Sequence, residues 1–255
     1  MPEGDTVYRT AAALHAALAG KVLTRCDIRV PRYATVDLSG HVVDEVIPRG
    51  KHLLIRVGDA TIHSHLKMEG AWHVYRPGQR WRRPAFAARA VLGVAGAQAV
   101  GFDLGILEVI ERRAEHGAVG HLGPDLLGPD WDSDLAAANL ARDGDRAIGE
   151  ALLDQSVLAG VGNIYRSELC FLRGVRPETP VARAGDPARW AALAHRLLTF
   201  NKDRVVRVTT GDLRRPLWVY GRGGRACLRC GAVIAEGALG EPARGIFWCP
   251  RCQRR

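Results

Sequence analysis

Leu152-Leu153-Asp154-Gln155-Ser156-Val157-Leu158-Ala159-Gly160-Val161-Gly162-Asn163-Ile164-Tyr165-Arg166-Ser167-Glu168-Leu169 is the stretch on which the fold turns. Ile148, Leu152, Leu153 and Gln155 recur at helical spacing, which predicts an apolar helix ending near Leu158. Glycines then permit a close double turn, and a new helix starts at Asn163 or Ile164. A helix start with a side-chain amide at its head suits an anion, because the first N–H groups and the helix dipole favour negative charge together. The same residues also read as a helical hairpin that merely turns a corner, and spacing alone does not separate the two.

On the C-terminal side, Asp186-Pro187 is an N-cap and first-turn pair that opens a further helix, with Trp190, Leu193, Leu197 and Leu198 as its buried stripe. Beyond it lie Cys227-Leu228-Arg229-Cys230 and Cys249-Pro250-Arg251-Cys252, two CxxC pairs separated by 18 residues. Two such knuckles on a hairpin close a tetrahedral zinc site, and four sulfurs leave no open position, so one structural Zn²⁺ is expected. Disulfide and redox readings compete, and paired spacing in an intracellular chain favours zinc over both. Cys26 and Cys170 fall outside the pattern and read as buried small hydrophobes. Between the knuckles Arg244 is either a solvated surface arginine or a guanidinium that a rigid hairpin holds out to a phosphate.

On the N-terminal side, Ser133 or Asp134 can cap a first helix running to about Ala141, and residues 116–134 are rich in Gly, Pro and Asp, as a linker would be. Before it come short β segments: Lys21–Val30, His41–Val46, His52–Val57, Ala60–His65, Trp72–Tyr75, Ala88–Leu92, Gln98–Asp103 and Leu107–Ile110. Their turn-separated spacing reads as antiparallel sandwich or barrel, giving an α+β chain. Val7, Ala11, Leu14 and Leu18 predict a leading helix over about residues 6–19, capped by Asp5 or Thr6 and stopped at Gly20. The expected organisation is a β-rich domain 1–118, a linker 119–132, a helical domain 133–215 and a cysteine hairpin 216–255.

Two basic features stand in the first half. Arg49-Gly50-Lys51-His52 is a basic turn feeding a strand; its lysine is either a solvated strand-end residue or a cation for phosphate contact and proton movement. His63 and His65 share one strand face and read as packed, hydrogen-bonded residues rather than a second metal site. The 255-residue chain is 47% hydrophobic with net charge +9, and only four of its basic residues are lysines. Residues 201–255 hold twelve Lys or Arg against four Asp or Glu, which points to a polyanionic partner. With no run of 18 apolar residues and no signal-type start, the chain is expected to be soluble and cytoplasmic, associated with the nucleoid, with no membrane partner, and monomeric.

Taken in order, Met1-Pro2-Glu3-Gly4, Arg49-Gly50-Lys51, Ser64-His65-Leu66, the 153–165 turn, Val219-Tyr220-Gly221-Arg222 and the four-cysteine finger resemble the formamidopyrimidine-DNA glycosylase/endonuclease VIII family, most of all its actinobacterial endonuclease VIII branch. The resemblance spans the whole chain. It implies an N-terminal antiparallel β-sandwich with a flanking helix, then a helix-two-turn-helix domain with a β-hairpin zinc finger. It further implies a bifunctional glycosylase and AP lyase acting on DNA with oxidised bases, pyrimidines first, or abasic sites. Pro2, with Met1 removed, becomes the nucleophile, Glu3 the acid/base, Lys51 a phosphate contact and proton carrier, and Arg244 a participant in the second elimination. Asn163 and Arg244 grip phosphates, and Lys67 and Met68 occupy the place of the residues that fill the vacated helix. The Arg and Phe with which the formamidopyrimidine branch touches the opposite base are missing from Asp103-Leu104-Gly105-Ile106-Leu107, so weak opposite-base discrimination and tolerance of single strands are expected. The rival readings are a non-catalytic zinc-ribbon protein that binds DNA or RNA, and a monofunctional hydrolase that releases bases without cutting the strand.

Overall fold

The leading helix, α1, covers Gly4–Leu18 and puts Val7, Ala11, Leu14 and Leu18 on one buried stripe. It starts two residues earlier than the cap residues suggest. Glu3 takes the N-cap position, its carbonyl accepting from Thr6 and Val7, while the Asp5 carboxylate accepts locally from the Thr6 N–H. A computed structural model describes residues 2–254, which divide into two compact units between His121 and Leu122.

In the first unit eight strands follow: β1 (Leu23–Ile28), β2 (Val43–Arg49), β3 (His52–Val57), β4 (Ala60–His65), β5 (Ala71–Tyr75), β6 (Ala88–Val94), β7 (Ala97–Phe102) and β8 (Ile106–Glu111), then a short α2 (Glu115–Val119). They pair antiparallel into two four-stranded sheets, ordered β1-β6-β7-β5 and β2-β3-β4-β8. Leu53, Ile55 and Ile62 from one sheet and Leu23, Ala90, Leu92 and Ala99 from the other share a core with the α1 stripe, so the unit is a β-sandwich capped by a helix. The His15 imidazole accepts the Val46 N–H at 3.2 Å and pins α1 onto β2.

In the second unit α3 covers Ser133–Ala141, α4 Ile148–Ala151, α5 Asn163–Arg173 and α6 Pro187–Asn201; β9 (Ala235–Leu239) and β10 (Arg244–Trp248) form an antiparallel hairpin. Asp132 caps α3, not Ser133 or Asp134: its carboxylate accepts from the 134 and 135 N–H groups. Asp186 caps α6 as its Pro partner suggests, although Leu193 is only half-buried and Ala191 and Ala194 complete the stripe. The helix expected to run to Leu158 is a single turn. Past Leu152 the Asp154 carboxylate accepts from the Ser156 N–H and hydroxyl, and Gln155 donates to the carbonyls of Leu153 and Val161, so side chains direct the backbone out of the helix. Leu158 and Val161 are still fully buried, held in the core by turns. Part of the stretch expected to link domains belongs to this core as well, since Leu126 is completely buried in it.

Candidate active site and metal centre

At the head of α1 Pro2 is half-buried, whereas Glu3 and Asp5 are 0% and 2% exposed. The chain start is therefore pinned, contrary to the frayed terminus that is ordinary elsewhere. Met1 lies outside the described residues. α1 packs on β2 and β3, the strands that Gly50 and Lys51 join. Those two residues are the whole loop of the hairpin, and Gly50 takes φ +57° while Lys51 is absent from the positive-φ residues. A two-residue turn with glycine first fixes the strand register and with it the place of Lys51.

Between β4 and β5, Leu66 is buried and the Gly70 N–H donates to its carbonyl at 2.9 Å, closing a tight turn. Lys67 sits at φ +53° with its N–H given to His65 Nδ1 at 2.9 Å. Gly105 lies under its alkyl chain, where any Cβ would overlap Lys67 Cγ. Met68, at the tip, is 60% exposed. Next to this turn His52 Nδ1 is 2.8 Å from His63 Nε2, and His63 Nδ1 faces Glu108 at 3.5 Å. Burial first, then the neighbouring imidazoles and Lys67, pushes His52 down to about 3; burial and the nearby lysines take His65 to about 4. The His52 and His65 rings are therefore neutral at physiological pH.

In the second unit Asn163 is the first residue of α5, and its Nδ2 donates to the Gly245 carbonyl at 3.2 Å. Arg166, fully buried one turn on, donates to that same carbonyl at 2.7 Å. The α5 start is thus tied to β10 next to Arg244, which is exposed and forms no ion pair among the described residues. Sequence reading assigned Arg166 no task. Nor did it assign one to Glu168, fully buried, whose carboxylate accepts the Thr209 hydroxyl and the backbone N–H groups of Trp218, Val219 and Tyr220. This clips α5 to the segment entering the finger; burial pushes the carboxyl up while those four donors oppose it. The sequence shows the polar run Arg166-Ser167-Glu168 but not its burial, because the groups that satisfy Arg166 and Glu168 come from distant segments.

The four finger cysteines converge, their sulfurs all within 4.8 Å of one another, and among the described residues no other such group could hold a metal ion. A backbone N–H holds the Cys230 thiol down at about 7, whereas burial and the adjacent sulfurs push Cys249 and Cys252 up. Four sulfurs this close do not all ionise without a cation among them. Cys170 behaves as the buried hydrophobe expected, its thiol raised to about 12; Cys26 is half-buried.

A helix-capped sandwich followed by a two-turn helical motif and a four-cysteine hairpin defines a class with modular matches. Residues 1–103 match the formamidopyrimidine-DNA glycosylase N-terminal domain, and residues 122–200 the formamidopyrimidine-DNA glycosylase H2TH domain. The chain is 58% identical over 255 residues to the DNA-(apurinic or apyrimidinic site) lyase Nei2 of Mycolicibacterium smegmatis, covering 99% of each. It is 56% identical over 260 residues to endonuclease 8 2 of Mycobacterium tuberculosis, covering 100% of each. It therefore belongs to the formamidopyrimidine-DNA glycosylase/endonuclease VIII family, in its actinobacterial endonuclease VIII branch. The fold also matches Lactococcus lactis Fpg solved with abasic-site DNA, at TM-score 0.82 and 24% identity over 99% of this chain and 100% of that one.

Proposed function

We propose that this chain is a bifunctional DNA glycosylase and AP lyase of base excision repair, which removes oxidised bases, pyrimidines foremost, and then cuts the strand by β,δ-elimination. The observation that carries the reading is the pinned terminus, with Pro2 at the head of a helix whose next residue, Glu3, is fully buried. Once Met1 is gone, Pro2 is a secondary amine. An α-amino group titrates near ~7.7–8.0 against ~10.4 for lysine, so a useful fraction is neutral at pH 7 without deep desolvation. Its lone pair attacks C1′ and the base leaves with its bonding electrons and a proton; the nitrogen then loses its own proton and its lone pair expels O4′, which is protonated, so that the ring-opened sugar is held as an iminium. Loss of a C2′ proton expels the 3′ phosphate, and a second elimination expels the 5′ phosphate.

Glu3 moves the proton at the sugar, and Lys51, fixed by its two-residue turn, contacts phosphate and assists the eliminations. Asn163 and Arg244 grip phosphates, with Arg244 also acting in the second elimination; Lys67 and Met68 enter the space left by the extruded nucleotide, whose unstacking costs a few kcal/mol. Cys227, Cys230, Cys249 and Cys252 hold one Zn²⁺. Tetrahedral Zn–S bonds of about 2.3 Å require sulfurs about 3.8 Å apart, and the pairs Cys227–Cys252 and Cys230–Cys249 stand at 3.9 and 3.5 Å. The ion, closed off by four sulfurs, fixes the hairpin. The enzyme works as a cytoplasmic, nucleoid-associated monomer.

Borohydride reduction on abasic DNA tests this. A covalent adduct is expected from a chain whose mass lacks one methionine, and Pro2→Ala should lose most of it. Absence of an adduct would leave only a binding protein, and base release without strand scission would leave a hydrolase.

A further inference from the structure

From Gly70 to Phe102 the sequence has five arginines, Arg76, Arg80, Arg82, Arg83 and Arg89, and not one Asp or Glu. Four of the five lie on the loop joining β5 to β6. That loop is built onto the sandwich. Trp81 packs edge-to-face on Phe102 at the outer side of the sheet, with its Nε1 donating to Gln98 Oε1 at 3.0 Å. The Arg82 N–H donates to the Tyr75 hydroxyl at 3.1 Å, and the Arg76 N–H to Gln79 Oε1 at 3.0 Å.

Arg83 turns inward. Its Nη1 donates at 2.7 Å to both the Glu69 carbonyl and Asp103 Oδ2, which joins the arginine loop to the turn that presents Met68. Arg76, Arg80 and Arg82 are exposed and make no ion pair among the described residues. Residues 79–85 line an open groove of about 650 Å³. Guanidinium groups held together on a fixed scaffold without carboxylates repel one another unless an anion lies across them. An open groove one of whose lining residues, Arg83, is bonded to the Met68 turn suits an extended polyanion.

We propose that Arg76, Arg80 and Arg82 form a phosphodiester-binding track that holds the DNA backbone beside the point where Met68 enters, without reading sequence. The track rests on the DNA-repair reading above and adds to it a binding surface within the first unit.

The test is binding of undamaged duplex to the full-length protein, followed by fluorescence anisotropy between about 50 and 200 mM salt. In R80A/R82A the slope of log K against log salt should shrink by about 1.8, at roughly 0.9 for each phosphate no longer neutralised. Affinity near 0.1 M salt should fall about tenfold. R80K/R82K, which keeps both charges, should retain the parental slope, and so should Arg113→Ala, which removes an exposed arginine paired with Glu111 at the end of β8. Parental affinity and slope in R80A/R82A, or an equal loss in Arg113→Ala, would overturn the track. The two readings fail separately: a parent that gives no borohydride adduct removes the lyase, and a parent that gives one while R80A/R82A binds normally removes only the track.

Discussion

Glu168 shows how a single buried carboxylate carries the geometry of a site it never touches. Its two oxygens satisfy three consecutive backbone N–H groups and one hydroxyl in the segment entering the finger. Glu168→Ala would leave the three backbone N–H groups without an acceptor, at about 1–3 kcal/mol each when no water replaces the missing bond, while the Thr209 hydroxyl turns to the Pro216 carbonyl at 3.3 Å. A loss of at least about 3 kcal/mol, or roughly 10 °C in melting temperature for a chain of this size, is expected by calorimetry. A melting temperature within about 2 °C of the parent's would show that the clip contributes little. Gly245 plays the reciprocal part: one carbonyl receives both Asn163 and Arg166, which places the α5 start and the Arg244 hairpin in a fixed relation.

At the scale of elements, β3 and β4 lie where their β-prone runs and turn residues put them: both are buried on both faces, so it is Gly50 and Gly58 rather than an alternating period that declare their ends. The finger was equally legible, since ligand spacing is a local property. What spacing could not convey was the 152–162 segment, where Leu158 and Val161 mimic helical periodicity while Asp154 and Gln155 steer the chain into turns. Arg166 and Glu168 were hidden for a related reason, as their partners lie 78–79 and 41–52 residues away in sequence. On the proposed zinc reading the hairpin depends on its metal. Cys249→Ser should abolish zinc, read by atomic absorption, and lower DNA affinity at least tenfold, while the sandwich, which has a core of its own, keeps its β-sheet circular dichroism. Parental DNA binding by the metal-free variant would rule out this dependence.

For the whole molecule, the chain follows its relatives across both units, and on the proposed chemistry it offers little to the base opposite a lesion. Asp103 is held by Arg83, Gly105 lies beneath Lys67, and Glu69 brings a negative charge where a stacking ring would help. Within the sandwich Met68 alone presents an exposed apolar side chain on that turn. Single-turnover rates on one lesion in duplex and in single strand should therefore lie within about tenfold of each other, about 1.4 kcal/mol in barrier height. A larger advantage for the duplex would show that another part of the protein fills the helix.

The packing that pins Glu3 near one end of the chain has a parallel near the other. There Gln253 is fully buried, donating to the Val175 carbonyl, while the Arg254 N–H reaches the Gly174 carbonyl. On the proposed chemistry an affinity tag fused ahead of Pro2 converts the reactive amine into an amide and silences the enzyme outright. A tag at the other end avoids that fate only if a flexible spacer lets Gln253 keep its seat, so a recombinant protein that fails in the assay should first be asked where its handle was attached.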